Sequence, residues 1–242
     1  SGGAPRATVE GGVVQGAVEN GVTVFRNIPF AAPPVGDLRW KAPQPVKPWA
    51  GVRDAVAHGT SCPQVMLPDD KPNGGGAYGP TSEDCLQLNV TAPLNARHAP
   101  VLFWIHGGSH RVGNGWIYDG ADFAKDGVIV VTINYRLGAL GYMSHPALGP
   151  NSGNYGLMDQ IAALKWVHAN IAQFGGDPDN VTVAGESAGG WSTMAVVATP
   201  SAKGLFTKAI CESGGGWYPP LTLADKEAQG IKLMEQLGAS KT

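Results

Sequence analysis

Ser187 stands two residues from a glycine on either side, in Gly185-Glu186-Ser187-Ala188-Gly189. Gly-x-Ser-x-Gly alone is a weak pattern. It gains meaning from its flanks: an apolar run before it, "VTVAG" (181–185), and "AGGWSTMAVVA" after it, which can form a helix ended by Pro200. At such a strand-to-helix turn the serine backbone is strained. The residues two before and two after are crowded, so only glycine fits there. The turn would hold the hydroxyl above a sheet, with a helix N-terminus behind it that favours developing negative charge. This is the chemistry of a nucleophile, with the backbone N–H of Ala188 offered to an oxyanion. The ordinary alternative is a tight glycine turn with an N-terminal helical serine; no second Gly-x-Ser-x-Gly occurs in the chain.

A second stretch, "FWIHGGSHRVGNG" (103–115), also follows an apolar run. Its glycines let backbone N–H groups approach a substrate oxygen without side-chain obstruction, and Gly108 and Ser109 are the expected donors. A serine hydroxyl needs a base to take its proton and an acid to orient that base. All six histidines, at 58, 98, 106, 110, 145 and 168, precede Ser187. His106, at a strand end, reads as a buried, hydrogen-bonded residue, and His110 as a pocket wall. Glu186 adjoins Ser187, but neighbours across such a turn point apart; it reads as a buried structural carboxylate.

These groups need a scaffold, and the chain alternates in the right way to give one. "VLFWI" (101–105), "VIVVTI" (128–133), "VTVAG" (181–185) and "KAICES" (208–213) are apolar runs of strand length, expected to be buried on both faces of a parallel sheet. Leu86 to Val90 is a further short strand. "LMDQIAALKWVHANIAQF" keeps Leu157, Ile161, Leu164, Ile171 and Phe174 at helical spacing, and Gly175-Gly176-Asp177-Pro178 stops it. The order strand–helix–strand–helix–strand is an α/β architecture with helices flanking a mainly parallel sheet. Ahead of it, Val9 to Gln15 and Val22 to Phe25 flank Asn20-Gly21 and read as an antiparallel hairpin. Pro29 to Pro48 is too proline-rich for helix and must run extended. Lys71 to Pro80, with Gly74-Gly75-Gly76, reads as a loop tip. There is no internal repeat.

Composition narrows the class. The 242 residues are 43% hydrophobic and 15% charged, enough for one sizeable core or a large piece of one. A net charge of −2 gives no field for gathering nucleic acid or anionic membrane. No apolar run approaches the roughly 18–20 residues that span a bilayer. The first residues, Ser-Gly-Gly-Ala-Pro without Met, fit a processed N-terminus after signal removal, or trimming. Of Cys62, Cys85 and Cys211, the first two flank a loop rich in Pro, Gly and Asp, so a bridge closing that loop is expected. On the chain-entropy model it contributes about 3 kcal/mol. Such a bridge implies an oxidising compartment, so a secreted or periplasmic protein; the alternative is three reduced thiols in the cytosol.

From Val9 to Gly215 the chain resembles the type-B carboxylesterase/cholinesterase family of α/β-hydrolases. The segments that carry the resemblance are "FRNIPFAAPPVGDLRW" (25–40), "SEDCLQLNV" (82–90), "WIHGGS" (104–109), "NYRLGALGY" (134–142), "GNYGLMDQIAALKWVHANIAQFGGDPDNVTVAGESAGG" (153–190) and "AICESG" (209–214). The long block is specific, because it joins the connecting helix to the serine turn without a gap. The resemblance implies serine ester hydrolysis without a cofactor or metal, with Ser187 as nucleophile and Gly108, Ser109 and Ala188 as oxyanion donors. It also implies a Cys62–Cys85 disulfide near the mouth of the active-site gorge. Two departures stand out. Ser109 occupies a place where the family usually has Gly or Ala, and His110 then Arg111 follow where an aromatic or aliphatic residue is usual.

The family order is serine, then Asp/Glu, then histidine. The resemblance therefore makes residues 1–242 the N-terminal portion of a single hydrolase domain, with the acid and histidine supplied by a C-terminal half. The tail "LADKEAQGIKLMEQLGASKT" fits this, as an amphipathic helix (Ala228, Ile231, Leu233, Met234, Leu237) that needs a partner and ends at Gly238. For substrate, Arg111 beside Ser109 and His110 suggests a polar, acidic acyl group, such as the tricarballylate esters of fumonisin-type toxins. The alternative is Arg111 in solvent or paired with Asp119 or Asp122. Two other functions compete with the esterase: a catalytically silent cholinesterase-like binding module, and an acyltransferase or thioesterase on the same fold.

Overall fold

The structure, a computed structural model, describes residues 3–73, 79–215 and 221–239. Gly74-Gly75-Gly76 lie outside them. Two sheets form. β1 (Arg6–Val9), β2 (Gly12–Gln15) and β5 (Val52–Asp54) make a small one in the order β1-β2-β5. The large one uses β3 (Ala17–Glu19), β4 (Val22–Pro29), β6 (Gln87–Pro93), β7 (Ala99–Ile105), β8 (Ile129–Ile133), β9 (Gly176–Glu186) and β10 (Lys208–Glu212), in the order β10-β9-β7-β8-β6-β4-β3. The helices are α1 (Ala121–Lys125), α2 (Gly138–Tyr142), α3 (Tyr155–Asn170), α4 (Ala188–Ala198) and α5 (Leu223–Gln236).

The α/β architecture is as expected, with one refinement. β7, β8, β9 and β10 pair in parallel, while β8/β6, β6/β4 and β4/β3 pair antiparallel. The parallel portion carries the serine turn. The hairpin at Asn20-Gly21 forms, with both residues left-handed at φ 52° and 77°, but its first strand is β3 and not Val9 to Gln15. Gly16 is the reason. A Cβ there would collide with the Val24 carbonyl and approach the Phe25 ring at 2.9 Å, so only glycine lets the chain leave β2 and cross to the other sheet. β2 then pairs with β1.

α3 runs as its periodicity dictates as far as Asn170, with Ile161 and Leu164 buried; a 3₁₀ segment (Ile171–Phe174) continues it, with Ile171 and Phe174 buried, and Gly175 ends that segment in the left-handed conformation at φ 83°. Pro29 ends β4, and from there to Pro48 the chain contains a single short turn of 3₁₀ helix, at Gly36–Leu38, and is otherwise irregular. β8 is buried along its whole length. β10 is the opposite: every residue is exposed, against the expectation of a fourth strand buried on both faces. It pairs only with β9, so among the described residues its other edge is unpaired, and α4 covers it only in part, with Gly190 against Cys211 and Glu212. α5 begins with a capping box between Thr222 and Asp225 and seats Gly230 against the Ser144 carbonyl, where no side chain fits. Ile231 and Leu237 on that helix remain exposed. Cys62 and Cys85 form a disulfide, Cys211 is free, and among the described residues no helix is long and apolar enough to cross a membrane.

Candidate active site

β9 delivers the chain to Ser187 and α4 carries it away. Ser187 holds φ 57°, ψ −121°, a strained conformation for a residue with a Cβ. Its neighbours leave it no alternative. A side chain on Gly185 would strike the Gly189 carbonyl, and one on Gly189 would strike the Ile105 carbonyl. The backbone completes the turn. Ser187 N–H donates to the Glu212 carbonyl of β10 at 2.8 Å, and Trp191 N–H donates to the Ser187 carbonyl at 3.0 Å. Glu186, next to the serine, reads from the sequence as a buried structural carboxylate. It faces solvent, however, and is not buried, because it ends β9 beside Glu212 of the edge strand β10.

The second turn leaves the end of β7. Gly107 passes so close to the first that an added Cβ would lie 2.7 Å from the Glu186 carbonyl oxygen and 3.2 Å from Ser187 Cβ. Gly108 (φ 111°), Ser109 (φ 59°) and His110 (φ 55°) then run left-handed in succession. Arg111 and Val112 N–H groups both donate to the Gly108 carbonyl at 3.0 Å, and Gly138 N–H donates to the His110 carbonyl at 2.7 Å. The N–H groups of Gly108, Ser109 and Ala188 have no backbone acceptor among the described residues. Ser109, His110, Ser187, Ala188, Trp191 and Lys226 line one cavity of about 1230 Å³.

The histidines divide as their surroundings dictate. His106 is buried, stacks on Tyr135 at 4.4 Å, and shares a 2.6 Å contact between Nδ1 and the Gly107 carbonyl. Burial pushes its pKa down from 6.5 to about 4, so it is neutral at pH 7. His110 is half-buried, and its pKa is also lowered, chiefly by desolvation. Its Nε2 lies 2.8 Å from Ser192 Oγ, which accepts from Gln160 Nε2 at 3.0 Å. Among the described residues no histidine bonds the Ser187 hydroxyl.

Arg111 is already engaged. Its guanidinium donates to Asp70 Oδ1 at 2.7 Å and to the Val65 carbonyl at 3.1 Å. The partner is thus neither Asp119, which accepts from Ala121 N–H at the start of α1, nor Asp122. The pairing holds the Asp70 carboxyl below its ordinary range. Sequence reading also missed the buried pair Arg136–Asp159, bidentate at 2.8 Å for both bonds, which ties "NYRLGALGY" to α3. Its partners lie 23 positions apart, and Ser192 and Gln160 lie 32 apart, so no local spacing marks them.

A glycine-gated serine turn between a parallel strand and a helix, with a second glycine-rich turn beside it, defines an α/β-hydrolase. A family model described as the carboxylesterase family matches residues 3–241, and the chain belongs to that family. It is 45% identical over 239 residues to a fumonisin B1 esterase of Sphingopyxis macrogoltabida, covering 95% of this chain and 43% of that protein. It is 52% identical over 213 residues to a para-nitrobenzyl esterase of Bacillus subtilis (strain 168), covering 86% and 43% respectively. A solved PNB esterase superposes with a TM-score of 0.90 at 46% identity, over 99% of this chain and 50% of that one. The chain thus spans about half the length of the relatives it matches.

Proposed function

We propose that Ser187 is the nucleophile of a carboxylic ester hydrolase. Gly108, Ser109 and Ala188 donate their N–H groups to the oxyanion, and residues outside this chain supply the acid and histidine. The observation that carries this reading is the strained serine at the head of β9, sharing a cavity with Ser109 and Ala188. In the reaction the serine oxygen attacks the ester carbonyl carbon while its proton passes to the histidine. The carbonyl oxygen becomes an oxyanion on the three donors. Its collapse expels the alcohol, which takes the proton back. Water then repeats the sequence on the acyl-serine, releasing the acid and restoring the hydroxyl.

The same reading makes residues 1–242 the N-terminal portion of one hydrolase domain. Its support is the family order of triad residues, the engagement of His106 and His110 away from Ser187, and an exposed apolar surface. Trp191, Met194 and Val197 on α4 and Ile210 on β10 are 47–50% exposed beside an unpaired strand edge, the kind of surface another part of a core covers. The Cys62–Cys85 bond supports an oxidising compartment, secreted or periplasmic.

The substrate is a small-molecule ester, and the fumonisin B1 esterase relative supports the carboxylate-bearing class. Arg111 no longer does, because Asp70 holds it. Lys226 replaces it: it is the charged residue of the cavity wall, and it has no acid partner among the described residues. The decisive experiment is fluorophosphonate labelling of the full-length protein, read by peptide mass. Label on Ser187, lost with ester hydrolysis in Ser187→Ala, is expected. An unlabelled Ser187, or a Ser187→Ala protein that hydrolyses esters at the wild-type rate, overturns the reading.

A further inference from the structure

The two turns must hold their donors in register, since one oxygen has to meet the N–H groups of both. Yet the second turn is built from Ser109 and His110, two successive side-chain-bearing residues in left-handed backbone. Such strain persists only where surrounding contacts enforce it. Backbone bonds to Gly108 and Gly138 hold the turn within its own neighbourhood. Among the described residues, one side-chain hydrogen bond crosses from it to the serine turn's helix, the 2.8 Å contact of His110 Nε2 with Ser192 Oγ. Ser192 is buried one turn beyond Ala188 on α4, and its oxygen is fixed from behind by the buried amide of Gln160. The imidazole also meets the Ala188 backbone and lies against the Tyr142 ring at 4.9 Å.

We infer that His110 is a positioning residue of the oxyanion hole, a latch that binds the Gly108-Ser109 turn to α4 through Ser192 and Gln160. The inference rests on the esterase reading above. A neutral imidazole satisfies the contact in either tautomer, because a hydroxyl that accepts from Gln160 can donate to an unprotonated Nε2 or accept from a protonated one. Half-buried between α4 and an aromatic ring, the side chain acts on the reacting oxygen through the backbone it positions, and not as a base for Ser187.

The test compares full-length wild type with His110→Phe, Ser192→Ala and the double variant. p-Nitrophenyl acetate is the substrate, rates are expressed per fluorophosphonate-labelled site, and melting is followed in parallel. Misplaced donors lose transition-state stabilisation, so each single variant is expected to lose roughly 10-fold in kcat with KM little moved. The double variant loses no more than the worse single, since both cut one connection. Affinity for a trifluoromethyl ketone, which forms the oxyanion on the serine, falls by the same factor. A purely structural role would lower the melting temperature and the labelled fraction without changing kcat per labelled site. If His110→Phe does not fold, Ser192→Ala decides alone. Wild-type kcat and ketone affinity in a folded variant overturn the latch while the esterase stands. A wild-type protein that takes no label on Ser187 and hydrolyses no ester overturns both.

Discussion

The turn at Ser187 and the turn at Ser109-His110 face the same cavity, and each forces side-chain-bearing residues into left-handed backbone. They are enforced differently. At Ser187 the constraint is exclusion: Gly185 and Gly189 are where the backbones of β7 and α4 leave no room for a Cβ. No side chain need bond anything to hold the serine out. At Ser109-His110 exclusion acts at Gly107 and Gly108, ahead of the strained pair, while the pair itself has side-chain bonds reaching out on both sides. His110 reaches inward to Ser192, and Arg111 outward to Asp70. A turn held by exclusion tolerates almost no added atom. A turn held by bonds yields by degrees as each bond is cut.

The largest test of that contrast is Gly189→Ala. The new methyl group meets the Ile105 carbonyl and comes within 2.8 Å of the His106 carbonyl oxygen, both backbone atoms that cannot step aside. Ester hydrolysis by the full-length protein is expected to fall by on the order of 10²-fold or more, as misplacement by about an ångström does. Fluorophosphonate labelling of Ser187 falls with it. Labelling and turnover close to wild type would show that the turn is not set by exclusion.

The second test uses a group that the second turn has and the first lacks, a buried titratable side chain. His106 leads into Gly107, and its pKa is pushed from 6.5 down to about 4 by burial. Between those values the unfolded chain binds the proton and the folded one does not. Stability is therefore complete above pH 6.5 and is lost as pH falls toward 4, by about 3 kcal/mol in all. Burial of His110 acts in the same direction. Urea unfolding of the full-length protein from pH 7 to pH 4 should show this loss, and His106→Asn should make the slope shallower. A variant with the wild-type slope would show that His106 is not its source.

What the sequence disclosed follows the same division. Exclusion leaves glycines at fixed offsets, so the serine turn, its strand and its helix were legible from Gly185, Ser187 and Gly189. Bonds across the fold leave no such trace. His110 and Ser192 are 82 positions apart and Arg111 and Asp70 are 41 apart, so neither pairing could be read from spacing. Apolarity was legible but its destination was not. "IVVTI" and "KAICE" were both read as strands buried on two faces, yet β8 is interior and buried throughout while β10, with a charge at each end, lies at an edge with every residue exposed. The glycine that reroutes the N-terminal strands, Gly16, was visible only as a residue. Its role needed the Val24 carbonyl beside it.

The smallest effect belongs to the outer anchor, and it separates the two cations near the site. Arg111 is partly exposed, and its bonds go to Asp70 and Val65, not to α4. Cutting them leaves the inner latch intact, and exposed ion pairs contribute little. Arg111→Ala should therefore change kcat/KM by less than about 3-fold, equally for a neutral ester and for one carrying a free carboxylate. Lys226→Ala, by contrast, removes the charge of the cavity wall that has no acid partner among the described residues. It should raise KM for the acidic ester roughly 10-fold and leave the neutral one unchanged, as the loss of one charge-assisted hydrogen bond would. The ratio of acidic to neutral kcat/KM in the two variants is the measurement. A ratio that falls with Arg111→Ala and holds with Lys226→Ala would return substrate recognition to the second turn. It would also mean that Asp70 releases the guanidinium when substrate binds, making that turn's outer bond a movable contact instead of an anchor.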